Sequence, residues 1–193
     1  MGRTALFSRK QSGGVFTIAD FERHPGDIYF VDSGASAASD TAGFGKNPDA
    51  PFATLDFAVG QCTAAQGDVI YVMPGHAETV SAAAGLALDV AGITVIGLGD
   101  GADQPTVTLD TIVSADVDVD AANVTVENIN FVANFADIAV VLDVNADDFT
   151  VRNCRFTAAA TNMNAKVVVQ DAAAGGLALR ASERDQIGYV IEL

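Results

Sequence analysis

The sequence predicts an all-β fold: a right-handed parallel β-helix, or β-solenoid, of about six coils with a short capping helix near its N-terminus. Three observations support this fold class. Short runs rich in β-branched residues alternate with Gly, Asn, Asp and Pro, which is typical of strands separated by turns. One segment repeats after 25 residues, a length that suits one coil of a solenoid. Amphipathic helical periodicity occurs in a single stretch, so an alternating α/β fold is not expected.

The composition is that of a folded and strongly acidic protein. Hydrophobic residues make up 50% of the 193 residues and charged residues only 18%, which argues against an intrinsically disordered chain. Ten Lys and Arg residues stand against 25 Asp and Glu residues, for a net charge of -15. Nucleic acids and anionic membranes attract cationic surfaces, so neither is an expected partner. The chain also lacks the apolar run of a signal peptide or membrane span, and we expect it to be made in the cytoplasm.

Residues 1–25 differ in charge from the rest of the chain. They contain four basic and two acidic side chains and therefore carry +2, which leaves -17 on residues 26–193. Ser and Gly residues within this stretch indicate a flexible segment. It is either a frayed terminus or a cationic arm that becomes ordered on a partner. The second interpretation predicts that Arg3, Arg9 and Lys10 contact that partner.

Residues 26–193 are predicted to form the β-helix domain. Their β-branched runs indicate strands, and these runs lie at residues 27–31, 69–72, 93–96, 124–126, 149–151 and 166–169. The capping helix is predicted at about residues 54–64, with Thr54 as its N-cap. The apolar residues on one face of this helix are Leu55, Ala58, Val59 and Cys62. Such a helix is suited to cover the N-terminal edges of the sheets.

The internal repeat sets the register of the coils. Residues 119–131 align with residues 144–156 at an offset of 25, and Val, Ala, Thr, Asn and Phe recur at matching positions. An earlier copy aligns Thr94 with Thr125 at an offset of 31 and puts Gly97 at an Asn position. In a parallel solenoid, matching residues of successive coils lie above one another.

This register predicts which side chains stack. Asn128 and Asn153 are expected to form a ladder at a turn, where Asn tolerates a left-handed backbone. Cys154 is predicted to be a small core residue rather than a reactive thiol. The predicted apolar stacks inside the solenoid are Ile129 over Cys154 and Phe131 over Phe156.

An alternating acidic stretch followed by a glutamate is the candidate metal site. Asp116, Asp118, Asp120 and Glu127 occupy the first, third, fifth and twelfth positions of a loop of the EF-hand type, which binds Ca²⁺. The glycine that such a loop needs at its sixth position is replaced by Ala121. Asp alternating with Val is also the pattern of a half-exposed strand. A calcium site and a solvated strand face are therefore both open, and no other cofactor is predicted.

Residues with catalytic potential are sparse elsewhere in the sequence. His24 and His76 lack the spacing of a metal or hydrolase motif and are predicted to be turn or surface residues. Arg152 stands opposite Glu127 in the repeat register, which favours an ion pair between coils over a catalytic base. The sequence therefore predicts a protein that is not an enzyme.

The runs at residues 30–32, 45–55 and 67–75 resemble the entry segment of proteins with the pectate-lyase-like fold, which are right-handed parallel β-helices. The resemblance covers about residues 28–156. It implies the fold and no single function, because this family includes polysaccharide lyases, hydrolases, epimerases and phage tailspikes.

The leader and first coils, from residues 9–16 through residues 73–79, also look like small virion proteins of tailed phages and prophages. This resemblance implies a non-enzymatic capsid decoration (cement) protein, made in the bacterial host cytoplasm, that binds the major capsid protein on the outer surface of the head. The alternative is a polysaccharide-binding or polysaccharide-cleaving module, such as a tail appendage. The resemblance carries over no site residue.

The end of the chain predicts a homo-oligomer, with a trimer favoured over a dimer. Residues 186–193 are an apolar run, and a strand there would leave an uncapped end that invites edge pairing between subunits. Alanines at residues 82–84 and 158–160 allow close approach. The open alternative is that the last strand seals its own coil and that alanine lines tight turns.

Overall fold

The structure is a computed structural model that describes residues 26–159, 166–170, 174–176, 178–180, 183–185 and 191–192. In chain order, the strands are β1 (Ile28–Val31), β2 (Val69–Val72), β3 (Ala77–Val80), β4 (Leu86–Ala87), β5 (Thr94–Gly97), β6 (Thr106–Leu109), β7 (Val117–Val119), β8 (Thr125–Glu127), β9 (Asn130–Ala133), β10 (Val140–Val144), β11 (Thr150–Arg152), β12 (Arg155–Ala158), β13 (Lys166–Gln170), β14 (Ala178–Arg180), β15 (Glu183–Asp185) and β16 (Ile191–Glu192). The helical segments of the described residues are the α-helix α1 (Leu55–Val59) and a 3-10 turn at Gly101–Asp103.

The strands form three parallel sheets, and successive coils add one strand to each sheet. The first sheet has the order β1-β2-β5-β8-β11-β14, the second β3-β6-β9-β12-β15 and the third β4-β7-β10-β13-β16. Every pairing between these strands is parallel. The chain is therefore a parallel β-solenoid, and the predicted all-β fold class is confirmed.

The number of coils is smaller than expected. Strands β2 to β13 make four successive coils of three strands, β1 precedes them, and β14 to β16 continue the sheets. About six coils were expected because residues 26–193 were divided by a coil of roughly 25 residues. Residues 32–68 hold α1 and its flanking loops instead of the two strands that would complete the coil begun by β1, which accounts for the difference.

The core is a column of apolar side chains that point inward from the three sheets. Thr94 pairs with Thr125 across β5 and β8, as the offset of 31 predicts. The rings of Phe131 and Phe156 stack with centroids 5.4 Å apart, and Cys154 is fully buried. Burial of a large apolar side chain stabilises a fold by roughly 1.5–3 kcal/mol, so stacks of this kind hold the coils together.

The predicted asparagine ladder is confirmed at the turn after the first sheet. Asn128 and Asn153 have φ of 57° and 50°, and Asn153 Nδ2 donates to Asn128 Oδ1 over 3.3 Å. Asn128 Nδ2 also donates to the carbonyl oxygens of Gly97 and Gly99 at 2.9 Å. These bonds satisfy carbonyl groups of the turn and tie three successive coils together.

Helix α1 covers the N-terminal end of the solenoid and is shorter than predicted. Thr54 is its N-cap, as expected, and accepts a hydrogen bond from Phe57 N. The helix ends at Val59 rather than near residue 64, because Gly60 and the following turn interrupt it. Its residues pack against β1, β2 and β4, two of which are edge strands. Asp56 Oδ1 accepts the Ala87 N–H of edge strand β4 at 3.1 Å.

Two predicted segments fall outside the described residues. One is the cationic arm at residues 1–25, which includes Arg3, Arg9 and Lys10. The other is most of the final apolar run, in which only β16 is described as a strand. β16 pairs with β13 at one edge of the third sheet.

Candidate functional site

Three outward-facing aspartates lie along β7 and its ends. Val117 and Val119 are fully buried, so the alternating Asp116, Asp118 and Asp120 face outward. This arrangement follows from the two-residue period of a strand. The predicted half-exposed acidic strand is thus present on the outer surface of the third sheet.

The structure brings a further aspartate from the next coil to this strand. Asp143 of β10 pairs in register with Asp118 of β7. Carboxylate oxygens of Asp116, Asp118 and Asp143 all lie within 4.8 Å of one another, and we call these three residues the acidic cluster. Oxygen-only donors of this type are the ligands that Ca²⁺ prefers in proteins.

Two members of the predicted loop are not part of the acidic cluster. Asp120 lies at the exposed end of β7 and accepts a hydrogen bond from Asn145 Nδ2 at 2.9 Å. Glu127 belongs to β8 in the first sheet, whereas β7 belongs to the third. A loop of the EF-hand type curls around its ion, but these residues follow extended strands that carry them apart. The predicted four-residue loop is therefore not assembled, and the choice between a calcium site and a solvated strand face stays open for Asp116 and Asp118.

The electrostatics of the acidic cluster centre on Asp118. Its Oδ1 is buried and has no hydrogen-bond partner. Burial and the neighbouring carboxylates of Asp116, Asp120 and Asp143 raise the pKa of Asp118 to about 6. A proton or a cation at this position would relieve the repulsion between the carboxylates.

Asp143 was missed at the sequence level, although a signal for it was present. The repeat aligns Val119 with Val144, and the same offset of 25 places Asp143 directly above Asp118. The EF-hand pattern joins only acidic residues that are close in sequence, as a single loop requires. In a solenoid, the nearest neighbours of a strand residue are instead one coil away.

His76 is buried, so its prediction as a turn or surface residue is wrong. The residue is 1% exposed and lies between the turn at residues 73–75 and strand β3. Its Nδ1 accepts the Ser33 N–H at 2.9 Å, and its Nε2 lies 3.1 Å from Glu78 Oε2. These partners make the burial of a polar ring tolerable. The other histidine, His24, lies outside the described residues.

The two cysteines are structural. Cys154 is a fully buried core residue, as predicted, and Cys62 is half-buried beside α1. Burial raises the pKa of each thiol to about 12. The thiolate is the nucleophilic form of cysteine, so neither residue is activated for nucleophilic catalysis.

Comparisons with known proteins identify the fold. No protein-family model matches the sequence, and a search of curated proteins gives no significant match. A search of solved structures does give one. The match is to a rhamnogalacturonan lyase. It has a TM-score of 0.52 and 14% sequence identity, and it covers 82% of this chain and 51% of the lyase chain.

This likeness shows the β-solenoid fold alone, since the identity is low. The chain spans about half the length of the solved lyase. No helix among the described residues is long and apolar enough to span a bilayer.

Proposed function

We propose that this protein is a non-enzymatic virion protein that decorates the outer surface of a phage head. The observation that supports this role best is that its potentially reactive side chains are engaged or inactive within the fold. In the described part of the chain, both ring nitrogens of His76 have partners within the fold, and the thiols of Cys62 and Cys154 have pKa values of about 12. The acidic cluster supplies carboxylates to one outer face. The histidine and the two cysteines of the described residues are thus committed to the fold, which favours a structural role.

The distribution of charge supports docking through the N-terminal arm. The arm carries +2 and the remaining residues carry -17. It precedes Gly26, which lies two residues before the start of β1. We propose that Arg3, Arg9 and Lys10 bind acidic groups of the major capsid protein, while the acidic solenoid faces solvent and keeps the decorated particles apart.

Cosedimentation with phage heads that lack this protein tests the role of the arm. Deletion of residues 1–14, or the combined change R3Q/R9Q/K10Q, is expected to abolish binding and to leave the circular dichroism spectrum unchanged. Arg152→Gln is the matched control, because it removes an exposed cation of the solenoid and should bind normally. Full binding by the arm variants would refute the docking model. Failure of the unmodified protein to bind any head particle would refute the proposed function.

A trimer on the capsid is part of this proposal, and a pair of exposed apolar side chains at one corner of the solenoid supports it. Turns at residues 81–85 and 111–114 lie in successive coils, and their backbone groups Ala84 N and Thr111 N bind the carboxylates of Asp116 and Asp110. Ile112 and Val113 are 38% and 49% exposed there. Burial of these two apolar side chains between copies would stabilise such an assembly. Sedimentation equilibrium should give three times the monomer mass, and Ile112→Asp should lower it. A wild-type monomer in solution and on the particle would refute the trimer.

A polysaccharide-binding or polysaccharide-cleaving module is the second candidate. The matched protein is a rhamnogalacturonan lyase by name, and the outer face of the first sheet carries an aromatic pair. Phe30 and Tyr71 stack with centroids 5.9 Å apart and are both half-buried. Aromatic faces of this kind can stack on sugar rings. Retention on a glycan array that is lost in F30A/Y71A, or release of unsaturated or reducing sugar ends, would favour this candidate over decoration.

A further inference from the structure

The outer face of the first sheet is apolar at its N-terminal end. Outward-facing residues alternate with inward-facing ones along each strand, and residues in register form columns across the sheet. One outward column begins with Phe30, Tyr71 and Ile96. The neighbouring outward column begins with Ile28 and Val69. We call these five residues the apolar patch.

The apolar patch is confined to the first three strands of the sheet. On the strands that follow, and at one position of β5, the two columns continue with hydroxyl and charged side chains, namely Thr94, Thr125, Glu127, Thr150 and Arg152. Ile28 is 43% exposed, and Phe30, Tyr71 and Ile96 are each half-buried. Contiguous apolar surface that stays accessible on a soluble protein marks an interaction site.

The N-terminal arm enters the solenoid beside the apolar patch. A Cβ at Gly26 would collide with the carboxylate of Asp68, so Gly26 lies directly against this residue, which precedes β2. The next residue, Asp27, donates its N–H to Asp68 Oδ1 at 2.6 Å. These contacts fix the point from which residues 1–25 leave the body, and the apolar patch begins two residues later at Ile28.

One segment of the arm has a composition that suits an apolar surface. Residues 15–21 carry four bulky apolar side chains, which are Val15, Phe16, Ile18 and Phe21. Residues 12–14, Ser-Gly-Gly, have the composition of a linker. They separate this apolar segment from the basic residues of the arm, which all precede residue 12 except Arg23.

The apolar segment can reach the apolar patch from its point of attachment. Neighbouring strands lie about 4.8 Å apart, so the three strands of the patch span about 10 Å. Residues 22–25 cover up to about 13 Å when extended, at about 3.3 Å per residue. Tethering also gives the segment an effective concentration on the order of 1 mM at the patch, which favours it over a second copy in dilute solution.

We propose that residues 15–21 bind the apolar patch and anchor the arm to the outer face of the first sheet. In an extended segment, Phe16 and Ile18 lie on the same side, and they contact the aromatic pair of the patch. Residues 1–14, with their basic side chains, then extend from a fixed point on the solenoid. The anchor is a property of the free protein and does not depend on the proposed capsid role.

Trypsin digestion of the native protein, followed by mass spectrometry, tests the anchor. A protease cleaves a released, extended segment, so cleavage after Arg23 requires residues 15–21 to leave the patch. In F16D/I18D, cleavage after Arg23 is expected to be at least about tenfold faster than in the wild type. Cleavage after Lys10 is the internal reference and should keep its wild-type rate. L6D/F7D is the matched control, because it makes the same change before residues 12–14, and its cleavage after Arg23 should match the wild type.

A change on the patch tests the other side of the contact. Ile28→Asp should also speed cleavage after Arg23 at least about tenfold, because it places a charge in an apolar contact. Ile112→Asp alters an exposed isoleucine at another corner of the solenoid and should leave this cleavage unchanged. If Ile28→Asp does not fold, F16D/I18D still decides, because it alters no residue of the described solenoid.

Three results would overturn the anchor. One is equal cleavage after Arg23 in the wild type and in F16D/I18D. Another is protection of Arg23 that is lost on dilution, which would place a second copy on the patch. The third is glycan retention of equal strength in the wild type and in F16D/I18D that is lost in F30A/Y71A, because an anchored arm covers the aromatic pair.

Discussion

Replacement of Asp118 by Asn is a direct test of the electrostatics of the acidic cluster. Asn has nearly the shape of a protonated Asp and does not ionise. At neutral pH it removes the charge that lies among Asp116, Asp120 and Asp143 and leaves the strand otherwise intact. We therefore expect Asp118→Asn to be more stable than the wild type at pH 7.

The size of this effect follows from proton linkage. The pKa of Asp118 rises from its ordinary value of 3.8 to about 6 in the folded state, which corresponds to at most ~3 kcal/mol. Asp118 is half-buried, and solvent screening reduces the expected gain to about 1 kcal/mol. Because the folded pKa is raised, the folded state binds the proton more tightly between about pH 4 and pH 6. Wild-type stability should therefore rise, relative to the variant, as the pH falls through this window.

Urea unfolding of both proteins at several pH values measures this difference. Asp118→Asn should exceed the wild type by about 1 kcal/mol at pH 7, or about 2–4 °C in Tm, and the two should converge near pH 4. Asp49→Asn is the matched control, since Asp49 is exposed and its loss changes the net charge equally. An Asp118→Asn protein that matches the control at every pH would refute the reasoning.

Three further predictions follow from the same structure. Ca²⁺ at ten times its Kd should stabilise the wild type by about 1.4 kcal/mol and have no effect on Asp118→Asn. Equal shifts in the Tm of the wild type and of this variant would exclude the acidic cluster as the site. Gly97→Ala should lower the free energy of unfolding in urea by about 2 kcal/mol, because the added Cβ meets a backbone carbonyl of the next coil. Gly34→Ala is the control, since an added Cβ has space there. Equal stability of the two variants would contradict the packing at Gly97. Cys62 and Cys154, with pKa values of about 12, should react with a thiol reagent at pH 8 only after unfolding; rapid labelling of the folded protein would count against this.

The repeat made much of the fold predictable. Stacked coils repeat one local environment, so residues at equivalent positions have equivalent neighbours. The pairing of Thr125 with Thr150 and the stack of Phe131 on Phe156 follow from that rule. The coil count was less predictable, because residues 32–68 depart from the repeat.

The candidate site was predictable only in part. Alternation along β7 placed Asp116 and Asp118 on one outer face, which is a property of the strand alone. The exclusion of Glu127 and the approach of Asp143 depend on which strands share a sheet. A linear motif cannot express this, because its spacing assumes a single continuous loop.

Local periodicity and the repeat were enough to predict the fold class, the inward and outward faces of the strands and the register between successive coils. The place of Asp143 in the acidic cluster and the burial of His76 between Ser33 and Glu78 depend instead on how the coils pack. In both cases the partners are far apart along the chain. His76 meets a residue 43 positions earlier, in a segment that lies outside the repeat, and no local pattern encodes such a contact before the chain has closed its coils.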